Sequence, residues 1–116
     1  MLALMKNIEA IVKPFKLDAL KDRLRQVGAQ GLTASEVRGF GRGGGEKDSH
    51  PGSRRAVDFN PKVRIQMVSD DDMVQPIVEA IQATARTGEI GDGKIFVSEV
   101  VDVIRIRTGE RGHDAL

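Results

Sequence analysis

The stretch Lys6–Gly28, KNIEAIVKPFKLDALKDRLRQVG, holds a strand and a helix separated by a proline. Over Lys6–Lys13 the side chains alternate: Ile8, Ala10 and Val12 share one face and Ile11 takes the other, the period of a β-strand. Pro14 ends that strand. From Lys16 to Val27 the period lengthens, with Leu17, Leu20, Leu24 and Val27 at helical spacing and charges between them. Gly28 stands where a helix stop is expected. A helix with one apolar stripe must lay it on something, and the strand before it belongs to the sheet that can receive it.

Working outward, Leu32–Phe40 reads as a second strand. A third resumes at Ala56–Phe59 and runs through Lys62–Val68, where Val63, Ile65 and Met67 alternate with Lys62, Arg64 and Gln66. Ser69–Asp72, SDDD, reads as a helix start, a capping serine followed by acids in the first turn. Val74, Ile77, Val78 and Ile81 then form an inward face, and Pro76 falls near the first turn, where proline costs least. This helix should end near Arg86–Gly88. Two short strands, Ile95–Val97 and Val100–Ile106, close the order, and the tail Thr108–Leu116 is polar and expected to be mobile. The order is β–α–β, a long loop, then β–α–β. It predicts an α+β fold: a ferredoxin-like sandwich, an antiparallel sheet with two helices on one face. One domain covers residues 1–116, with no linker. The long loop, Gly41–Arg55, is a glycine-rich polar tract with one proline; loops of this length are usually functional or disordered.

The chain's 116 residues suffice for one modest core. Its 18 Lys and Arg against 17 Asp and Glu leave a formal net charge of +1, so no general pull toward nucleic acid or membrane exists and any basic site must be local. Aromatics make up 3%, too few for stacking platforms on single-stranded nucleic acid. The absence of cysteine excludes disulfides and thiolate catalysis and fits a cytoplasmic protein. No apolar run approaches the roughly 20 residues of a spanning helix.

Chemistry concentrates in Thr87–Phe96, TGEIGDGKIF. Gly88, Gly91 and Gly93 precede Lys94. Glycines allow positive φ, successive backbone N–H groups in such a turn make an anion-binding concavity, and lysine adds a point charge. Further on, Arg105 and Arg107 stand two apart, which on a strand places both guanidinium groups on one face. A plain turn and a solvated charged face would explain either piece alone. Together they favour a polyphosphate site, although the loop does not match the Walker pattern. His50 and His113 are distant in sequence, and Asp70, Asp71 and Asp72 read as helix-start charges, so no metal site is expected. No Glu or His reads as a placed general base, so no catalytic residue is expected. A nucleotide hydrolase and a nucleic-acid binder working through Ser53–Arg55 are the rival readings.

In KNIEAIVKPFKLDALKDRL, EVRGFGRGGG, VDFNPKVRI, TGEIGDGKIFVSEV and VIRIRTGERGHDAL, the chain resembles the PII signal-transduction proteins of nitrogen regulation, over nearly its whole length from Met5. Residues 1–4 then read as an extension. The resemblance implies a homotrimer with adenine nucleotide, ATP or ADP, in the clefts between subunits. Residues 41–55 are similar to the family's partner-binding T-loop, 87–94 to its B-loop and 108–116 to its C-terminal loop. It implies that Gly41, Arg42, Gly91, Asp92, Gly93 and Lys94 lie near the phosphates, that Thr33, Val68 and Thr87 surround adenine and ribose, and that Arg105 and Arg107 come from the neighbouring subunit.

The T-loop departs from the family pattern. The position of the uridylylated tyrosine is Arg55, and the chain has no tyrosine. Ser53 stands where some members carry a phosphorylated serine, but in a different context. The glutamine that helps hold Mg²⁺ and 2-oxoglutarate is replaced by Gly43; Mg²⁺ remains compatible because water can take the vacated position. Lys13 and Lys62 are retained for the effector, and Gly43, Gly44 and Gly45 offer only backbone. The second effector is therefore 2-oxoglutarate, or another small anion such as bicarbonate linked to inorganic-carbon handling, or neither. The expected function is regulatory: nucleotide shifts the T-loop, which presents Lys47, Asp48, His50, Ser53, Arg54 and Arg55 to a protein target, with a membrane transporter or channel as the best candidate.

Overall fold

A computed structural model describes residues 5–41 and 58–116. Strand β1 is Met5–Val12, helix α1 Leu17–Gln26, β2 Thr33–Gly39, β3 Asn60–Asp70, helix α2 Val74–Ala85 and β4 Lys94–Val100. The sheet order is β2-β3-β1-β4, every neighbouring pair antiparallel. Each helix carries the chain over one intervening strand. This is the ferredoxin-like arrangement expected from the element order.

The core lies between the sheet and the two helices. Ile8, Ala10 and Val12 of β1 and Val63, Ile65 and Met67 of β3 meet Leu20 and Leu24 of α1 and Ile77, Ala80, Ile81 and Ala85 of α2. Each such Leu or Ile contributes about 1.5–3 kcal/mol by burial. Leu17 and Val27 flank this core as expected, and Val74 packs at its edge. Helix α1 stops because Gly28 takes φ 104°, and Gly28 N–H and Ala29 N–H close back on the Arg25 and Leu24 carbonyls at 3.1 and 2.9 Å. Pro61 sits in β3 where only β2 is its neighbour, opposite Arg38, so its missing N–H breaks no bond to β1.

The sheet face away from the helices carries Asn7, Glu9 and Ile11, Arg64 and Gln66, and Phe96 and Ser98. Gln66 donates to Asn7 at 2.8 Å, and Arg64 Nε lies 3.4 Å from Glu9 Oε1 without a hydrogen bond although the atom is buried. Phe96 and Val97 of edge strand β4 are about half exposed, and Val101 and Ile106 beyond it almost wholly so. No described helix is long and apolar enough to cross a membrane.

Four expectations change. Ser69 does not cap a helix: β3 continues to Asp70, Ser69 is buried in it, and a 3-10 turn over Asp71–Met73 leads into α2 with no side-chain cap. Strand pairing to β1 holds these residues extended, overriding the local cap signal. Asp58 and Phe59 precede β3 rather than belonging to it, because β2 supplies register partners only from Asn60 onward. Of the two short strands near the end only the first forms, lengthened to β4 and held along its length by β1. Residues Val101–Ile106 are not a strand; a single bridge, Ile104 to Arg111, starts a tight return instead. Finally, the tail is built into that return, ending in a 3-10 turn over Gly112–Ala115.

Candidate functional site

The glycine loop lies between α2 and β4, and it is organised from within. Asp92 Oδ2 accepts from the N–H groups of Thr87 and Gly88 at 2.8 and 2.9 Å, and the Thr87 hydroxyl donates to Asp92 Oδ1. Glu89 N–H donates to Thr87 Oγ1 at 3.1 Å. These bonds, led by those from Thr87, hold the Asp92 carboxyl far below the usual carboxylate range. Gly88, Gly91 and Gly93 all have positive φ. At Gly93 the requirement is double: φ is 102°, and a Cβ there would stand 1.7 Å from the Ile11 carbonyl oxygen. The loop can pass over β1 only because this residue has no side chain.

Lysines from three strands meet this loop. Lys13, just past β1, donates to Thr87 Oγ1 at 3.1 Å and lies 3.1 Å from Asp92 Oδ1. Lys62 of β3 donates to the Gly91 carbonyl at 2.7 Å. Lys94 opens β4, opposite Ile11, and is exposed. Gly41 comes two residues after the end of β2, at the same end of the sheet. Thr87, Gly91, Asp92, Gly93, Lys94, Lys13 and Lys62 are thus brought together.

The other half of the predicted site is elsewhere. Val68 lies six residues along β3 from Lys62, about 20 Å away. Thr33 pairs with Gln66, also toward the far end. Arg105 and Arg107 lie beyond the far end of β4, another strand length from Lys94. They do not share a strand face. Arg105 is held by Glu110 Oε1 at 2.9 Å and by the Leu116 backbone oxygen at 2.9 Å, while Arg107 sits exposed in the return turn. Lys94 and Arg105 are thus separated by the length of β4.

Arg42, Gly43, Gly44, Gly45, Lys47, Asp48, His50, Ser53, Arg54 and Arg55 lie outside the described residues. At the root of their segment, Phe40 and Phe59 pack edge to face, with centroids 5.2 Å apart. Among the described residues no cluster of three or more His, Asp or Glu could hold a metal. Sequence reasoning missed two contacts: Asp92 as the organiser of the loop, and the ion pair of His113 with Asp70. The Asp-Gly pair in GDGK was a legible turn signal for the first; the second joins residues 43 positions apart and left none.

The described residues thus form a ferredoxin-like sheet with a lysine-rimmed glycine loop at one end and an arginine-bearing return at the other. The family model of nitrogen regulatory protein P-II matches residues 5–110. The chain is 54% identical to the nitrogen regulatory protein P-II of Azospirillum brasilense over 112 residues, 97% of this chain and all of that one. It is 56% identical to that of Cereibacter sphaeroides over the same length. A solved structure of Arabidopsis thaliana PII bound to citrate matches with a TM-score of 0.80 and 41% identity, covering 98% of this chain and 94% of that one. The chain belongs to the nitrogen regulatory protein P-II family. It is a signal-transduction regulator, not an enzyme.

Proposed function

We propose that the protein binds ATP and ADP in clefts between subunits of a homotrimer and controls a partner protein through residues 41–55, without uridylylation. The observation that carries this reading is the separation of the two half-sites. Gly41, Thr87, Gly91, Gly93 and Lys94 stand at one end of the sheet, Thr33, Val68, Arg105 and Arg107 at the other. Head-to-tail packing joins unlike ends, and if the rotation closes it makes a ring of identical clefts. Each cleft then has both halves. The loop's backbone N–H groups and Lys94 meet the phosphates, with Arg42 from the loop root and the arginines from the next subunit. Asp92 acts by shaping the loop, since a carboxylate in contact with phosphate would repel it. Lys13 and Lys62, with the backbone of Gly43–Gly45, take the second effector: 2-oxoglutarate, or a smaller anion such as bicarbonate. If Mg²⁺ accompanies the nucleotide it would supply charge neutralisation at the phosphates, Gly43 offering it no side-chain ligand. The protein works in the cytoplasm, with a membrane transporter or channel as target; because the loop's contact residues are mostly charged, that contact weakens with salt.

Calorimetric titration with ATP and ADP, each with and without Mg²⁺, 2-oxoglutarate and bicarbonate, tests the reading. Saturable binding of one nucleotide per subunit is expected, and its absence would overturn the proposal. If 2-oxoglutarate tightens ATP, the effector site works without its glutamine; if only bicarbonate does, the glycines have remade it. Lys94→Met and Arg105→Ala should each weaken ATP about tenfold or more. When the two variants are co-assembled, those clefts that receive both intact halves should recover wild-type affinity.

A further inference from the structure

The C-terminal return is a closed unit. Gly112 N–H donates to the Val103 carbonyl at 2.9 Å, Arg105 and Glu110 pair through backbone and side chain, and Arg111 meets Asp102 at 3.0 Å. All of these contacts stay within residues 101–116. One described polar contact leaves the unit: His113 Nδ1 to Asp70 Oδ1, 2.8 Å, at the end of β3. From His113 the connection to Arg105 is short. Leu116 N–H donates to the His113 carbonyl at 3.2 Å, and the Leu116 backbone oxygen accepts from Arg105 Nη2 at 2.9 Å. The contact to the sheet and the grip on Arg105 are the two ends of one 3-10 turn.

Resting on the nucleotide reading above, we propose that His113 is a positioning residue for Arg105: protonated, it pins the C-terminal return to the end of β3 and holds the arginine side of the cleft in place, so that nucleotide affinity falls as pH rises. The groups facing the imidazole favour its charged form. Asp70 is in contact, Asp72 lies in the turn that follows β3, and Asp114 adjoins His113 in the tail; with the Asp70 bond first, they raise the His113 pKa above the ordinary histidine value. Nearby cations are already engaged: Lys6 of β1 lies 3.4 Å from Asp71 and 3.7 Å from Glu99 of β4, and Arg111 is held by Asp102. A histidine raised by its partner contributes fully below its unfolded pKa, and the contribution is lost as pH rises through the folded one. That window opens at the ordinary histidine pKa and extends upward from it, so the protein's answer to ATP would depend on the pH of its surroundings.

The test uses the full chain and the variants His113→Gln and Asp70→Asn. NMR titration of the imidazoles, with His113→Gln identifying the signal, should show His113 titrating above the ordinary value and Asp70→Asn moving it back toward that value. Amide exchange of Arg105, Gly112 and Leu116 should quicken with pH beyond the intrinsic base dependence in wild type and follow that dependence alone in His113→Gln. ATP titrations from pH 6 to 9 should lose about fivefold or more in affinity in wild type relative to His113→Gln, a difference that removes the ionisation of ATP itself. An unshifted His113, or ATP profiles that run parallel in the two proteins, overturns the proposal. A wild type that binds no ATP overturns the nucleotide reading and the coupling with it, while imidazole titration and exchange still decide the pin.

Discussion

Gly93 is where a single atom decides whether the loop can exist. A methyl group there meets a backbone carbonyl that cannot move without pulling β1 out of register. Gly93→Ala should cost at least about 2 kcal/mol, adding positive-φ strain to the clash, read as a lower urea midpoint with unchanged slope. Asp92 acts through charge. Its carboxyl is held far below the usual range, so its contribution is complete above the unfolded pKa and drains away as pH falls toward the folded one. The urea midpoint of wild type should fall more steeply with acid, below about pH 4, than that of Asp92→Asn. Parallel acid limbs would show that the Thr87 and Gly88 bonds do not depend on the ionised form.

Among the elements, the helices bear the packing. Leu24 of α1 and Ile81 of α2 are fully buried between helix and sheet. Leu24→Ala or Ile81→Ala should cost about 2–5 kcal/mol in equilibrium unfolding. The strand ends carry a different burden. Beyond the last β2–β3 pair, Gly39 with Asn60, the two strand ends are joined by the Phe40–Phe59 contact. Both rings are more than half exposed, so a double-mutant cycle with Leu at each position should give coupling near the low end of aromatic pairs, about 0.5 kcal/mol. A coupling of zero would mean that the loop root is held by the sheet alone.

For the whole molecule, the exposed apolar residues and the divided site make one argument. Ile106 is wholly exposed and Val101 nearly so, on the return that carries Arg105 and Arg107. On the proposed nucleotide reading, a subunit left alone would show water both these side chains and half of its anion site. Ile106 is wholly exposed, so the circular dichroism of Ile106→Asp should match wild type. If the return packs against the next subunit, native mass spectrometry should show the variant shifted from trimer toward monomer, with ATP affinity lost in parallel. An unchanged trimer would remove Ile106 from the interface.

The sequence by itself determined the fold class, because the periods of Lys6–Gly28 and Lys62–Ile81 are local: each apolar stripe must find a core, whatever lies across from it. It also marked Gly91, Gly93 and Lys94 for a phosphate site by the loop's composition, and Lys13 and Lys62 for an effector site through family resemblance; that both lysines touch the loop was left to the structure. What it could not determine was anything set by pairing at a distance. Ser69 has the chemistry of a cap, yet β1 keeps it in a strand. Val100–Ile106 has the pattern of a strand, but beyond Val100 the sheet offers it no neighbour, so Val101–Ile106 turns back on itself. Arg105 and Lys94 are close in sequence and stand at opposite ends of β4. His113 and Asp70 are far apart in sequence and touch. Side-chain periods record which face of an element is buried; strand order and the path of the return decide which residues meet, and those are properties of the assembled sheet.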